Sequence, residues 1–177
     1  VDLEHSVITI REAEELIRII DLCKVIPLVR VSSNNPVQIK RVMDAGAHGV
    51  VVPMVNSAAE AEKSVSAVRY PIKGNRSIGL ARAQGYGNNF TQYLDWVAKE
   101  PVIIVQIEHI RAVENLEEIL SIDGVNGFSV GPYDLSGSLG IPGQFAHPLM
   151  KEAMQRIISI GKKSGKAPGI HIVEPNI

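Results

Sequence analysis

Short aliphatic and β-branched runs alternate along the chain with longer stretches in which apolar residues recur every three or four positions, and this alternation predicts its elements. Ile26–Val31, Gly49–Val55, Val102–Ile107, Gly127–Val130 and Pro168–Val173 read as strands, and the chain opens on what reads as the end of another at Leu3. Between them, Arg11–Leu22, Val37–Ala45, Ser57–Arg69, Phe90–Lys99, Ala112–Ile122 and Pro148–Lys163 carry helical periodicity. The boundary residues agree with this division. Ser32-Ser33-Asn34-Asn35-Pro36 is a helix-start signal, Ser57 suits an N-cap and Gly46 suits a helix stop. Tyr70–Asn89 is rich in glycine and has little periodicity, so it is expected to be a long loop; Gly131–Ser136 reads as a turn.

Near-continuous apolar strands separated by helices imply a parallel sheet covered on its faces, and so an α/β fold. No Gly-x-Gly-x-x-Gly or Gly-Lys-Ser/Thr element follows the first strand, which disfavours a dinucleotide-binding fold or a P-loop. The placement of polar residues favours a TIM (β/α)8 barrel. Asp2, Glu4 and His5, then Arg30, then Gln106 and Glu108, then Asp134 lie at or just past strand ends, where barrel enzymes assemble their sites. A complete barrel takes roughly 250 residues, and the chain has 177. The expectation is therefore one barrel domain, residues 1–177, short by one or two βα units.

Composition narrows the setting. A formal charge of -1 with interspersed acidic and basic residues gives no basic face for nucleic acid. No apolar run approaches the roughly 20 residues that span a bilayer, and Val1–His5 has neither the basic nor the apolar region of a signal peptide. The single cysteine, Cys23, cannot form an internal disulfide, so a cytoplasmic location is expected; in a helical run it reads as packing rather than as a nucleophile.

Several residues could carry chemistry. Glu108 and Asp134 each follow an apolar strand, and two carboxylates with open positions left for water and substrate suit a divalent ion such as Mg²⁺ or Mn²⁺. Pairing with an arginine or helix capping would explain them equally well. Arg30 offers a fixed charge and a forked donor set for an oxyanion, or a structural ion pair. Asp2-x-Glu4-His5 suits a metal site, an Asp2-oriented His5 acting as general acid–base, or a plain surface histidine. His109 follows Glu108 and ranks second; His48, His147 and His171 show no zinc-type spacing. Backbone N–H groups of Gly131-Pro132-Tyr133-Asp134 could bind a carboxylate, and the Gly79–Gly87 loop could serve as a lid, a subunit contact or a flexible link.

The stretches Asp2-Leu3-Glu4-His5, Pro27–Arg30, Gly49–Met54, Arg69–Pro71, Ala81–Ala83 with Tyr86-Gly87, Gln106–Glu108, Val130–Ser136 and His147-Pro148, taken in that order, resemble the HpcH/HpaI family of class II aldolases. The resemblance implies a barrel of the phosphoenolpyruvate/pyruvate type, of which these residues would lack the first strand and the last βα unit. It also implies reversible cleavage of a 4-hydroxy-2-oxo acid, or a 2-dehydro-3-deoxy sugar acid, to pyruvate and an aldehyde. Glu108 and Asp134 would coordinate Mg²⁺, Mn²⁺ or Co²⁺. Arg30 would face the enolate oxygen, and His5, oriented by Asp2, would move protons. Gln106, Gly131, Tyr133 and Asp134 would line the substrate pocket. A homo-oligomer, commonly a hexamer, is implied as well. Two alternatives stand beside this: a CoA-ester lyase of the citrate lyase β-subunit type, and a truncated non-catalytic chain. No lysine ends a strand, which argues against an imine-forming aldolase.

Overall fold

The computed structural model describes residues 1–172. Five parallel strands form one sheet in sequence order: β1 (Leu28–Arg30), β2 (Gly49–Val52), β3 (Val102–Ile107), β4 (Gly127–Val130) and β5 (Ala167–Ile170). Asp2 extends the arc by a single parallel bridge to Arg30. Strands added one after another on the same side, each returning through a helix, are the winding of a (β/α)8 barrel and not of a doubly wound sheet. The predicted barrel class is therefore what forms, as an open arc among the described residues.

Alternation along each strand divides the two faces. Val29, Val50, Val52, Ile103, Val105, Ile107, Phe128 and Val130 are buried against the helices. The other face carries Arg30, Val51, Ile104, Gln106 and Ser129, held side by side by the registers Arg30↔Val51, Val51↔Ile104 and Gln106↔Ser129. Arg30 and Gln106 are thus aimed into the concave side of the arc near its carboxyl rim.

The outer layer consists of α1 (Ile10–Leu22), α2 (Pro36–Asp44), α3 (Ala58–Val68), α6 (Leu116–Ser121) and α8 (Pro148–Ser164), each touching the next. Local chemistry starts these helices where the sequence suggests. Thr9 and Glu12 form a capping box on α1; Asn35 caps α2, which has Pro36 in its first turn; and Ser57 accepts from the Glu60 N–H at the start of α3. His147 accepts from the Leu149 N–H and so caps α8, whose end is set by Gly165 at φ 68°.

Five expectations need correction. The single helix Ala112–Ile122 is two, α5 (Ile110–Glu114) and α6, broken at Asn115, whose side chain is drawn away to the Asn56 carbonyl at 2.8 Å. The turn at Gly131–Ser136 is the start of a short helix, α7 (Pro132–Ser138), with Pro132 in its first turn. The loop Tyr70–Asn89 contains a 3₁₀ segment, Arg82–Gly87, followed by α4 (Phe90–Val97). Cys23 caps the end of α1 and is exposed, so it is neither packed in the core nor near the strand ends. The last predicted strand is shorter than expected, and Val173 lies outside the described residues.

The Tyr70–Val97 excursion closes the amino end of the sheet. Arg82 bonds the Ala45 carbonyl and pairs with Asp21 at 3.0 Å, both at helix ends on that side. Arg76, fully buried, bonds Asp44 at 2.7 Å and Tyr93 at 3.0 Å and lies against the rings of Tyr70 and Tyr93. This anchoring keeps the Gly79–Gly87 loop away from the carboxyl rim of its own chain and removes the lid reading. No described helix is long and apolar enough to cross a membrane.

Candidate functional site

Consecutive strand ends deliver the polar residues to one rim. Arg30 is the last residue of β1, Met54 lies two residues beyond β2, Glu108 one beyond β3 and Gly131 one beyond β4. Asp2 joins them across its bridge to Arg30, and Asp134 sits in the first turn of α7.

Arg30 is gripped by Asp2 through two bonds, Nε to Oδ1 at 2.9 Å and Nη2 to Oδ2 at 2.6 Å, which is the forked geometry a guanidinium offers a carboxylate. Its Nη1 lies 3.4 Å from Glu4. The hydrogen bonds from Arg30 hold the Asp2 carboxyl far below the usual range, and the backbone N–H groups of Glu4 and His5 help against the opposing effect of burial. Asp2 therefore reaches His5 only through the His5 backbone N–H, at 3.3 Å. The carboxylate facing the imidazole is Glu4, 3.8 Å away. This changes the expected pairing: Asp2 orients Arg30, and the exposed His5 ring stands beside Glu4.

Glu108 is buried, with side-chain Oε1 accepting from Gln106 Nε2 at 2.6 Å and Oε2 accepting from the Met54 N–H at 3.1 Å. Burial pushes its pKa above the ordinary carboxylate range; Glu4 and Asp134 push the same way, while the Met54 N–H and Arg30 oppose them. Glu4 is shifted upward for the same first reason, burial, with Asp2 and Asp134 adding to it against Arg30 and His5. Asp2, Glu4 and Glu108 thus act on a single guanidinium, and Asp134 adds its charge to Glu4 and Glu108. Like charges collected in a partly dry site call for a further cation.

One orphaned atom points the same way: Gln106 Oε1 is buried without a hydrogen-bond partner. The Gln106 amide cannot be turned to relieve this, because its oxygen would then face the Glu108 carboxylate. That oxygen can only accept, so a donor or a cation is what would satisfy it.

The α7 start behaves differently from expectation. Gly131 gives its own N–H to the Ile107 carbonyl at 3.2 Å, so it is not a free donor. The first-turn N–H groups of Tyr133 and Asp134 lack intrahelical acceptors and keep that role. What Gly131 contributes is space: a Cβ there would lie 2.6 Å from Glu108 Oε1 and 2.7 Å from its Cγ. His109 uses its ring nitrogen to accept from the Arg111 N–H as the cap of α5 and so does not join the site.

Sequence reasoning missed two contributors. Met54 adopts a left-handed backbone, φ 54°, which costs a non-glycine residue about 1–2 kcal/mol and turns its N–H toward Glu108. Glu4 was read only as part of a triplet, whereas it touches both Arg30 and His5. A side chain's identity gives no sign of a left-handed backbone, so Met54 was legible only through its neighbours. Two concave spaces lie away from this rim: about 470 Å³ beside His48, Arg82 and Trp96 at the amino end, and about 620 Å³ between α8 and β4–β5.

With this geometry in hand, comparison with known proteins is informative. Residues 1–173 match the family model described as HpcH/HpaI aldolase/citrate lyase. The 4-hydroxy-2-oxo-heptane-1,7-dioate aldolase of Shigella flexneri is 42% identical over 153 residues, which are 85% of this chain and 57% of that protein. The chain thus spans little more than half the length of the curated relatives it matches. Among solved structures, an HpcH/HpaI aldolase/citrate lyase family protein from Burkholderia cenocepacia superposes with a TM-score of 0.90 at 33% identity, covering 96% of this chain and 68% of that one. An HpcH/HpaI aldolase from Desulfitobacterium hafniense gives 0.87 at 30% identity, covering 99% and 68%.

Proposed function

Because the chain belongs to the HpcH/HpaI aldolase/citrate lyase family, we propose that its carboxylate rim is part of a divalent-metal-dependent aldolase site. The reaction is reversible cleavage of a 4-hydroxy-2-oxo acid, or a 2-dehydro-3-deoxy sugar acid, to pyruvate and an aldehyde. The observation that carries this is Glu108, a buried carboxylate at a strand end, beside Glu4 and Asp134, with Arg30, His5 and the Met54 N–H to offset them.

The donor set fits Mg²⁺, Mn²⁺ or Co²⁺: oxygen ligands from Glu108 and Asp134, with the orphaned Gln106 Oε1 nearby to accept from a bound hydroxyl or water. Such an ion, when bound, supplies positive charge to the oxygen on which negative charge develops. The chain's own residues do the rest. The Tyr133 and Asp134 N–H groups, beside Gly131, receive the substrate carboxylate. His5 takes the proton from the C4 hydroxyl as the C3–C4 bond breaks and the aldehyde leaves. The bond's electron pair passes to the 2-oxo oxygen, where Arg30 donates, and protonation at C3 then yields pyruvate. Asp2 holds Arg30 in that position.

The citrate-lyase-type alternative is less favoured, because the relative matching at 42% identity is named as an aldolase and the Asp2-x-Glu4-His5 opening suits proton transfer at an aldol hydroxyl. The family resemblance further supports a single barrel domain acting in the cytoplasm on small molecules, without nucleic acid or membrane, as a homo-oligomer that is hexameric in the intact protein. The reading is tested by titrating Mn²⁺ into the wild type, Glu108→Gln and Asp134→Asn. Both variants are expected to weaken binding by more than the roughly 10–100-fold that loss of an outer-sphere partner costs. Wild-type affinity in both would place the ligands elsewhere.

A further inference from the structure

Glu108 is held from three directions, and only one of them is a side chain. Gln106 bonds Oε1 at 2.6 Å. The Met54 N–H bonds Oε2 at 3.1 Å, from a left-handed backbone at φ 54°. Gly131 packs its bare Cα against the same carboxylate, so closely that a Cβ would sit 2.6 Å from Oε1. The loop that carries Met54 is itself tied down: Asn56 Nδ2 bonds the Met54 carbonyl at 3.0 Å, the Asn56 N–H bonds Glu60 at 2.6 Å, and Asn115 bonds the Asn56 carbonyl at 2.8 Å. A strained conformation persists where its surroundings over-determine it, and strain of this kind collects at functional sites.

We propose that Met54 and Gly131 are positioning residues that fix the Glu108 carboxylate for the cation, Met54 through its left-handed N–H and Gly131 through the absence of a side chain. Each Glu108 oxygen then gives one lone pair to the protein and keeps the other open. Neither Met54 nor Gly131 touches the reacting atoms through a side chain. The proposal rests on the reading that Glu108 is a metal ligand, and it deepens that reading by naming what holds the ligand still.

Two comparisons in the intact protein, both read by Mn²⁺ titration and thermal melting, test it. Met54→Gly and Met54→Val both remove the thioether, but glycine accepts positive φ whereas a β-branched residue resists it. Met54→Gly is expected to bind Mn²⁺ about 10-fold more tightly than Met54→Val, the size of an outer-sphere effect; equal affinities would overturn the role given to Met54. Gly131→Ala is expected to weaken Mn²⁺ binding by a similar factor and to lower the Tm in the wild type. In a Glu108→Ala background, where the new methyl enters vacated space, Gly131→Ala is expected to leave the Tm where it was. An equal fall in Tm in both backgrounds would show that Gly131 does not act through Glu108. Wild-type Mn²⁺ affinity in Glu108→Ala alone would sink the metal reading, and with it the purpose assigned to the clamp, while the Tm cycle would still report whether the contact exists.

Discussion

The molecule buries charge in two places and treats it in opposite ways. At the amino end of the sheet, Arg76 has no exposed surface, yet Asp44, the Tyr93 hydroxyl and the Val68 carbonyl accept its hydrogen bonds and two tyrosine rings cover it. Burial works against its charge there, but Tyr93, Asp44 and Tyr70 outweigh it and hold its pKa above the usual value. At the carboxyl rim, Asp2, Glu4 and Glu108 share Arg30, Asp134 adds its charge to Glu4 and Glu108, and Gln106 Oε1 is buried without a partner. At the amino end both Nη atoms of the lone cation find acceptors, although its Nε is buried without one, and the cluster serves the fold. At the rim the carboxylates outnumber the guanidinium, and this difference in charge balance separates the structural cluster from the candidate site although both carry arginine and carboxylate.

The largest expected effect sharpens the structural half. Arg76→Met leaves Asp44 without its partner and is expected to cost about 3–5 kcal/mol in urea denaturation, without altering Mn²⁺ affinity of the folded fraction. A loss below about 1 kcal/mol, the range of an exposed pair, would remove the contrast. Next, Arg30→Ala is expected to lower kcat by about 10²–10³ while sparing Mn²⁺ affinity, because the proposed mechanism sets Arg30 against the substrate oxygen. Parallel losses of affinity and turnover would make Arg30 a structural partner of Asp2 and Glu4 like the arginine at the other end.

A smaller effect is expected from pH. Glu108 has a raised pKa in the folded chain, so the metal-free native state takes up a proton before the unfolded state does as pH falls. The penalty for its charge is complete above the folded pKa and disappears below the unfolded value near 4.3. Relative to Glu108→Gln, the wild type is therefore expected to gain stability as pH drops from neutral toward about 4, measured by denaturation in EDTA. A difference that is flat across this range would mean that Glu108 is not strained by its surroundings. Smallest of all, Cys23→Ser is expected to change stability by no more than about 0.5 kcal/mol, since Cys23 is exposed at a helix end away from both clusters. Loss of activity in that variant would contradict the placement of the site.

Periodicity made the strand order legible, because βα units added in sequence leave a regular alternation of short and long apolar runs. It also placed Arg30, Gln106, Glu108 and Asp134 at strand ends. The break at Asn115 was not legible, since it depends on a bond to Asn56, 59 residues away. Pairing within the rim was equally hidden. Asp2 and His5 are close in sequence, but the bridge from Asp2 to Arg30 brings in a guanidinium that outcompetes the imidazole for the carboxylate. The Tyr70–Asn89 loop looked free to move because its anchors, Asp21 and Asp44, lie in distant helices. Long-range partners decide such features, and local patterns do not carry them.

The account stands most directly on pyruvate release from a panel of 4-hydroxy-2-oxo acids by the intact protein, assayed after EDTA treatment and again after Mn²⁺ is restored. It predicts release that EDTA abolishes and Mn²⁺ returns. Release indifferent to EDTA, or none on any substrate with Mn²⁺ present, would contradict it.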